Sequence, residues 1–151
     1  MKNIEEIYRM LHWKNDDIIR SEGLRLAKEI KDLSLLILPP APPSVWECCA
    51  QVLCEKTDDA LEPYLCGLLD WLQDLNWPGA TRILERLKSF SGKRLRGPFL
   101  NSFANAHCTK EGLMWLDGLR ELLDNEELKA ELPKPILEEL QRHYENRMLG
   151  L

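Results

Sequence analysis

The sequence predicts an all-α fold on three observations. Leucine occurs 29 times among 151 residues, against 8 isoleucines, 2 valines and 3 threonines. Leucine forms helices readily, whereas the β-branched residues that favour strands are scarce. Apolar residues also recur at helical spacing along almost the whole chain. This pattern argues against a sandwich, a barrel or a doubly wound sheet. The composition, 44% apolar and 30% charged, is that of a globular chain and not of a disordered or membrane one. The length fits one domain, residues 1–151, with a core that needs no disulfide staples.

The periodicity sets out the elements in order. A first short helix carries Ile4, Ile7, Tyr8 and Leu11 on one face. Asn15 is the expected N-cap of a second, which turns Ile19, Gly23, Leu26, Ala27 and Ile30 inward. The apolar run 33–38 ends in Pro-Pro-Ala-Pro-Pro, residues 39–43, a stiff extended connector because proline cannot continue a helix. Ser44 and Glu47 have the spacing of a capping box before a third helix with Val45, Trp46, Cys49, Ala50 and Leu53. A fourth begins near residues 59–63 with the stripe Leu61, Tyr64, Leu65, Leu68, Leu69 and Leu72.

Asn76 is the expected cap of a fifth helix, with Pro78 in its first turn and Ala80, Ile83, Leu84, Leu87 and Phe90 inward. Residues 91–97 read as a basic, solvated loop between Gly92 and Gly97. A sixth helix follows with Phe99, Leu100, Phe103 and Ala104 inward. Thr109 is the expected cap of a seventh, which carries Leu113, Leu116, Leu119 and Leu123. Residues 126–131 form a short turn of helix, and the last helix, after Pro135, shows Ile136, Leu137, Leu140, Tyr144 and Met148.

Short loops make successive helices antiparallel. Asn15, Ile19, Gly23 and Leu26 are echoed 61 residues later by Asn76, Ala80, Leu84 and Leu87. The echo favours stacked antiparallel helical hairpins, an α-solenoid of the HEAT type, over the alternative of a compact irregular bundle.

Catalytic and metal motifs are missing from the sequence. The histidines His12, His107 and His143 belong to no HExxH pattern, and there is no Walker loop, GxGxxG or GxSxG. His107 and Cys108 are neighbours, which in a helix point about 100° apart and do not meet. Five cysteines, at positions 48, 49, 54, 66 and 108, lack the spacing of a zinc site. They read as reduced, buried thiols of a cytoplasmic protein, so no catalytic residue, metal or cofactor is expected. The N-terminus has no apolar stretch of signal-peptide length, and the apolar run 35–38 is too short to span a bilayer.

Charge is unevenly distributed. Residues 1–40 are balanced, and residues 41–76 hold one basic and seven acidic side chains, net −6. Residues 77–110 carry net +6 and residues 111–151 net −5, for a total of −5. A mildly acidic chain is a poor binder of nucleic acid. The blocks have two readings: neighbouring helices neutralise each other, or an acidic surface steers a basic protein partner. Trp71 and Trp77 fit core packing first, although tryptophan is also favoured at interface hot spots.

The string WLQDLNWPGA at residues 71–80, preceded by Ser-Val-Trp-Glu-Cys-Cys-Ala at 44–50, resembles a bacterial family, domain of unknown function 5071. The core of the likeness runs from about Val45 to Leu87. The resemblance implies a HEAT-like helical fold. More loosely it implies an immunity protein that binds and neutralises a toxin domain, such as a nuclease, of a polymorphic or contact-dependent system. The expected function is therefore non-enzymatic protein binding to a basic toxin domain, without membrane or direct nucleic-acid contact. Glu62, Asp70, Asp74 and Trp77 are the expected partner-binding residues: the acids speed encounter and the aromatic anchor slows release. The alternatives are a HEAT-type scaffold for an endogenous complex and an enzyme whose site no motif reveals.

Overall fold

Short polar side chains, Asn3, Asp16, Thr57, Ser91 and Asn125, cap five of the ten described α-helices. In the computed structural model, which describes residues 2–109 and 112–150, 74% of the described residues are helical and none is in a strand. Helix α1 (Ile4–Met10) is capped by Asn3, whose side chain accepts from the Glu6 N–H at 2.9 Å. Helix α2 (Asp17–Ala27) is capped by Asp16, not Asn15. Asn15 instead donates its amide to the Arg9 and Met10 carbonyls, at 2.6 and 2.9 Å. Those carbonyls end α1 and have no helical partner, and the adjacent carboxylate is free to accept at the start of α2.

A 3₁₀ turn (Leu33–Leu36) and the proline-rich connector follow, then a second 3₁₀ turn (Pro43–Val45) leading into α3 (Trp46–Cys54). The expected capping box does not form. The Ser44 hydroxyl is buried with no hydrogen-bond partner, because Pro43 places Ser44 inside the 3₁₀ turn, and Glu47 pairs with Arg82 instead. Thr57 caps α4 (Asp58–Leu61). Pro63 then breaks the expected single helix into a 3₁₀ turn (Glu62–Tyr64), α5 (Leu65–Asp70) and a further 3₁₀ turn (Trp71–Gln73).

Asn76 does not cap α6 (Ala80–Lys88). The residue before it is Gly79 at φ +85°, and the turn is held by the Asp74 carboxylate, which accepts the Asn76 N–H at 2.8 Å. The basic loop expected at 91–97 is the opening of α7 (Gly92–His107). Ser91 caps it, and the Glu127 carboxylate accepts from the Gly92 N–H at 2.7 Å. A Cβ at Gly92 would lie 2.2 Å from the Leu128 nitrogen, so only glycine admits α9 (Glu126–Glu131) this close. Helices α8 (Gly112–Glu121) and α10 (Lys134–Met148) complete the described chain, with a 3₁₀ turn (Leu122–Asp124) between α8 and α9. The Thr109 N–H donates to the Ala106 carbonyl at the end of α7, and the residues joining Thr109 to α8 lie outside the described part.

Helix α7 packs against α5, α8 and α9, α3 packs against α2 and α6, and α10 lies on α8. Trp71, Phe99 and a dozen or so leucines fill the fully buried interior. Inward faces differ from expectation at Ile19, Ala104, Leu113 and Met148, which are exposed. In α8 the buried position belongs to Trp115, whose Nε1–H donates to the Leu69 carbonyl at 3.0 Å. Among the described residues no helix is long and apolar enough to cross a membrane.

Candidate interaction surfaces

The acidic block is largely committed within the molecule. Glu47 pairs with Arg82 at 2.9 Å, Asp58 with Arg86 at 2.6 Å and Asp59 with Arg94 at 2.5 Å. Glu62 shares Arg94 at 3.8 Å, and Glu55 reaches Lys28 at 3.4 Å. Asp58 also accepts the Ser91 N–H at 3.0 Å. Partial burial works to raise the Asp58 pKa, but the Arg86 and Ser91 hydrogen bonds outweigh it and hold the carboxyl below the usual aspartate range. Opposite blocks on neighbouring helices thus form a lattice of ion pairs.

The four expected contact residues have different surroundings. Glu62 lies on the 3₁₀ turn beside Arg94, and Asp74 holds the turn into α6. Trp77 is half-buried, its ring edge-on to Trp46 at 5.8 Å. Asp70, at the end of α5, is half-buried, and burial raises its pKa.

Two grooves flank the N-terminal helices. One, of about 530 Å³, runs between α2 and α3 and is lined by Trp13, Arg20, Leu24, Glu47, Cys48 and Gln51 among others. Trp13 is 51% exposed there, and Ile18 and Ile19 on α2 are 81% and 41% exposed. The other, of about 440 Å³, lies between α1 and the proline-rich connector. No sequence motif marks either groove.

The thiols divide by position. Burial, with the neighbouring Cys48, pushes the Cys49 thiol up to about 12, and burial raises Cys48 and Cys54 as well. Cys66 and Cys108, expected to be buried, are exposed: Cys66 falls on the outer side of α5 and Cys108 follows the last residue of α7. Among the described residues no group of three His, Cys, Asp or Glu side chains could hold a metal ion. His143 lies 2.8 Å from Asp117, which also accepts from Arg147 at 2.9 Å.

Trp71 and Trp77 of the WLQDLNWPGA turn both set their rings edge-on to Trp46, at 6.3 and 5.8 Å. The Trp71 Nε1–H donates to the Pro78 carbonyl at 3.0 Å, which closes the turn on itself. The Trp46 Nε1–H donates to the Pro39 carbonyl at 3.2 Å and so fixes the connector. Gly79 sits beneath: a Cβ there would lie 2.8 Å from the Ala50 Cβ and 2.9 Å from the Trp71 ring. Residues 47–96 match the DUF5071 family model. By its description DUF5071 is a domain of unknown function. No curated protein and no solved structure matches the chain. The DUF5071 segment spans the ion-pair lattice and the tryptophan turn, that is, the scaffold. The walls of the α1 groove lie wholly outside it, and only Glu47, Cys48 and Gln51 of the α2–α3 groove fall within it.

Proposed function

We propose that this protein acts by binding another protein through the α2–α3 face, and that the partner is a toxin domain which it neutralises. The exposed Trp13, which lines the α2–α3 groove together with Leu24 and Cys48, carries the binding part of this reading. Large apolar side chains that share one exposed patch with a polar rim are characteristic of interaction sites, and tryptophan is the residue type most enriched among hot spots. Asp17, Arg20 and Glu47 supply the rim. The net charge of −5 acts at longer range and draws in a basic partner, whereas the paired acids of residues 47–62 serve the fold. The toxin as partner follows from the sequence resemblance set out at the start, and growth in the presence of a toxin is what tests it. On this reading the protein is a cytoplasmic binding module without catalytic activity of its own.

The test is co-expression with a toxin domain encoded by a neighbouring gene. Wild-type protein should restore growth, and the double variant Trp13→Asp/Ile18→Asp should not, while keeping its helical circular dichroism and melting temperature. Equal killing with and without the wild-type protein overturns the toxin reading. Full protection by the double variant overturns the assigned face.

A further inference from the structure

We infer that the groove between α1 and the proline-rich connector binds the C-terminal carboxylate of a peptide chain. Its volume of about 440 Å³ is that of a small-ligand site. One wall comes from α1 and the turn after it, with Glu5, Tyr8, Arg9, His12 and Asn15; the other from Pro40, Ala41, Pro42 and Val45. The hydrogen-bonding groups that remain free on these walls determine the ligand.

The Tyr8 hydroxyl proton is taken: it is donated to the Leu35 carbonyl at 2.5 Å, so Tyr8 offers the groove its ring and no donor. Asn15 has spent both N–H donors on α1 and keeps its carbonyl oxygen. The His12 Nδ1 accepts the Lys14 N–H at 3.1 Å, which places the ring proton of neutral His12 on Nε2 and leaves that N–H free. The Arg9 guanidinium makes no ion pair or hydrogen bond among the described residues. A guanidinium and an imidazole N–H on one wall are donors matched to a carboxylate, which arginine binds through two parallel hydrogen bonds.

The connector wall has the opposite character. Prolines carry no N–H, and the single amide between them, at Ala41, donates to the Pro39 carbonyl at 2.7 Å. This wall therefore offers apolar rings and carbonyl acceptors only. A C-terminal residue carries an amide N–H, a side chain and a carboxylate on one Cα. It can meet the acceptor wall, the apolar rings and the Arg9–His12 pair together. An acidic side chain reaches the donors only on a flexible stem, away from its own amide. Glu5, one turn before Arg9, sets the polarity: the carboxylate lies toward Arg9 and the amide end toward Glu5. The site is held ready, because Trp46 anchors the connector at Pro39. The inference does not depend on the partner proposed above, since the α2–α3 face is a separate groove.

The test is a titration of the ¹⁵N-labelled protein with three peptides, followed by amide chemical shifts. The peptides are acetyl-Ala-Leu with a free carboxylate, acetyl-Ala-Leu-amide, and acetyl-Glu-Leu-amide with an internal acid. The first should shift the Tyr8, Arg9, His12 and Ala41 amides saturably. The capped peptide and the Arg9→Gln variant should each weaken binding by about tenfold or more, the effect of losing one charge-assisted contact. Arg9 is exposed, so Arg9→Gln should leave the remaining spectrum unchanged. Absence of saturable shifts, equal binding of the capped peptide, unweakened binding by Arg9→Gln, or tighter binding of the internal acid would each overturn the proposal.

Discussion

Asn125 shows what a single buried polar side chain does here. Its amide donates to the Leu87 and Phe90 carbonyls at 3.0 and 2.9 Å, and its oxygen accepts the Leu128 N–H at 3.0 Å. One residue thus caps α9 and ties it to the end of α6. Asn125→Ala strands the Phe90 carbonyl and the Leu128 N–H, leaves the Leu87 carbonyl with backbone partners only, and should cost about 3 kcal/mol. Calorimetry should show a melting temperature lower by about 6–12 °C. Gly79→Ala should cost about 2 kcal/mol or more, since its φ of +85° disfavours a side chain and the Trp71 ring blocks one. The same position explains a misreading: Asn76 looks like a cap in sequence, but a left-handed glycine between it and Ala80 moves the helix start. Thiol chemistry sorts the cysteines. At pH 8 Cys66 and Cys108 should react with an aromatic disulfide reagent in the folded protein, and Cys49, with its thiol pushed up to about 12, only after unfolding.

At the scale of elements, the charge blocks were legible and their pairing was not. Composition shows an acidic stretch followed by a basic one, but only packing decides whether they face each other or a partner. Here α3 lies on α6, and Glu47 and Asp58 find Arg82 and Arg86. Arg86 is the strongest of these residues because it is mostly buried and also donates to the Lys56 carbonyl at 3.0 Å. A double-mutant cycle on Arg86 and Asp58 should give a coupling of about 1–2 kcal/mol, against less than about 1 kcal/mol for the exposed pair Arg94–Asp59. Acid separates two kinds of carboxylate. The folded Asp58 pKa is depressed, so its contribution is present above the ordinary aspartate value and lost as pH falls below that through the lowered folded one. The folded Asp70 pKa is raised, so its ionisation opposes folding as pH rises. Asp70→Asn should therefore raise the melting temperature slightly at pH 7, and the gain should vanish near pH 3, below the ordinary aspartate value.

For the whole molecule, the all-helical class was legible because leucine-rich 3.6-residue periodicity admits little else, whereas the interaction grooves were not. A groove is a property of two elements and a connector, and the exposure of Trp13 or Ile18 depends on where α3 stops covering α2. The segment that matches DUF5071, residues 47–96, holds the tryptophan turn and most of the ion-pair lattice, and the walls of the candidate grooves come mainly from residues before it. The other end is attached differently. Helix α10 buries only Leu140 fully and is tethered to α8 by Asp117, which meets both His143 and Arg147, with the Arg120 guanidinium 3.6 Å over the Tyr144 ring. A helix held by few buried apolar groups opens locally at less than the cost of global unfolding. Asp117→Asn should accelerate hydrogen exchange of the α10 amides by about tenfold, the effect of roughly 1.4 kcal/mol lost from the tether. Amides of α5 and α7, buried around Trp71 and Phe99, should keep their wild-type protection. Equal acceleration in α7 would show that the terminal helix and the core around Phe99 unfold as one unit. The tether would then serve the whole core and not the last helix alone.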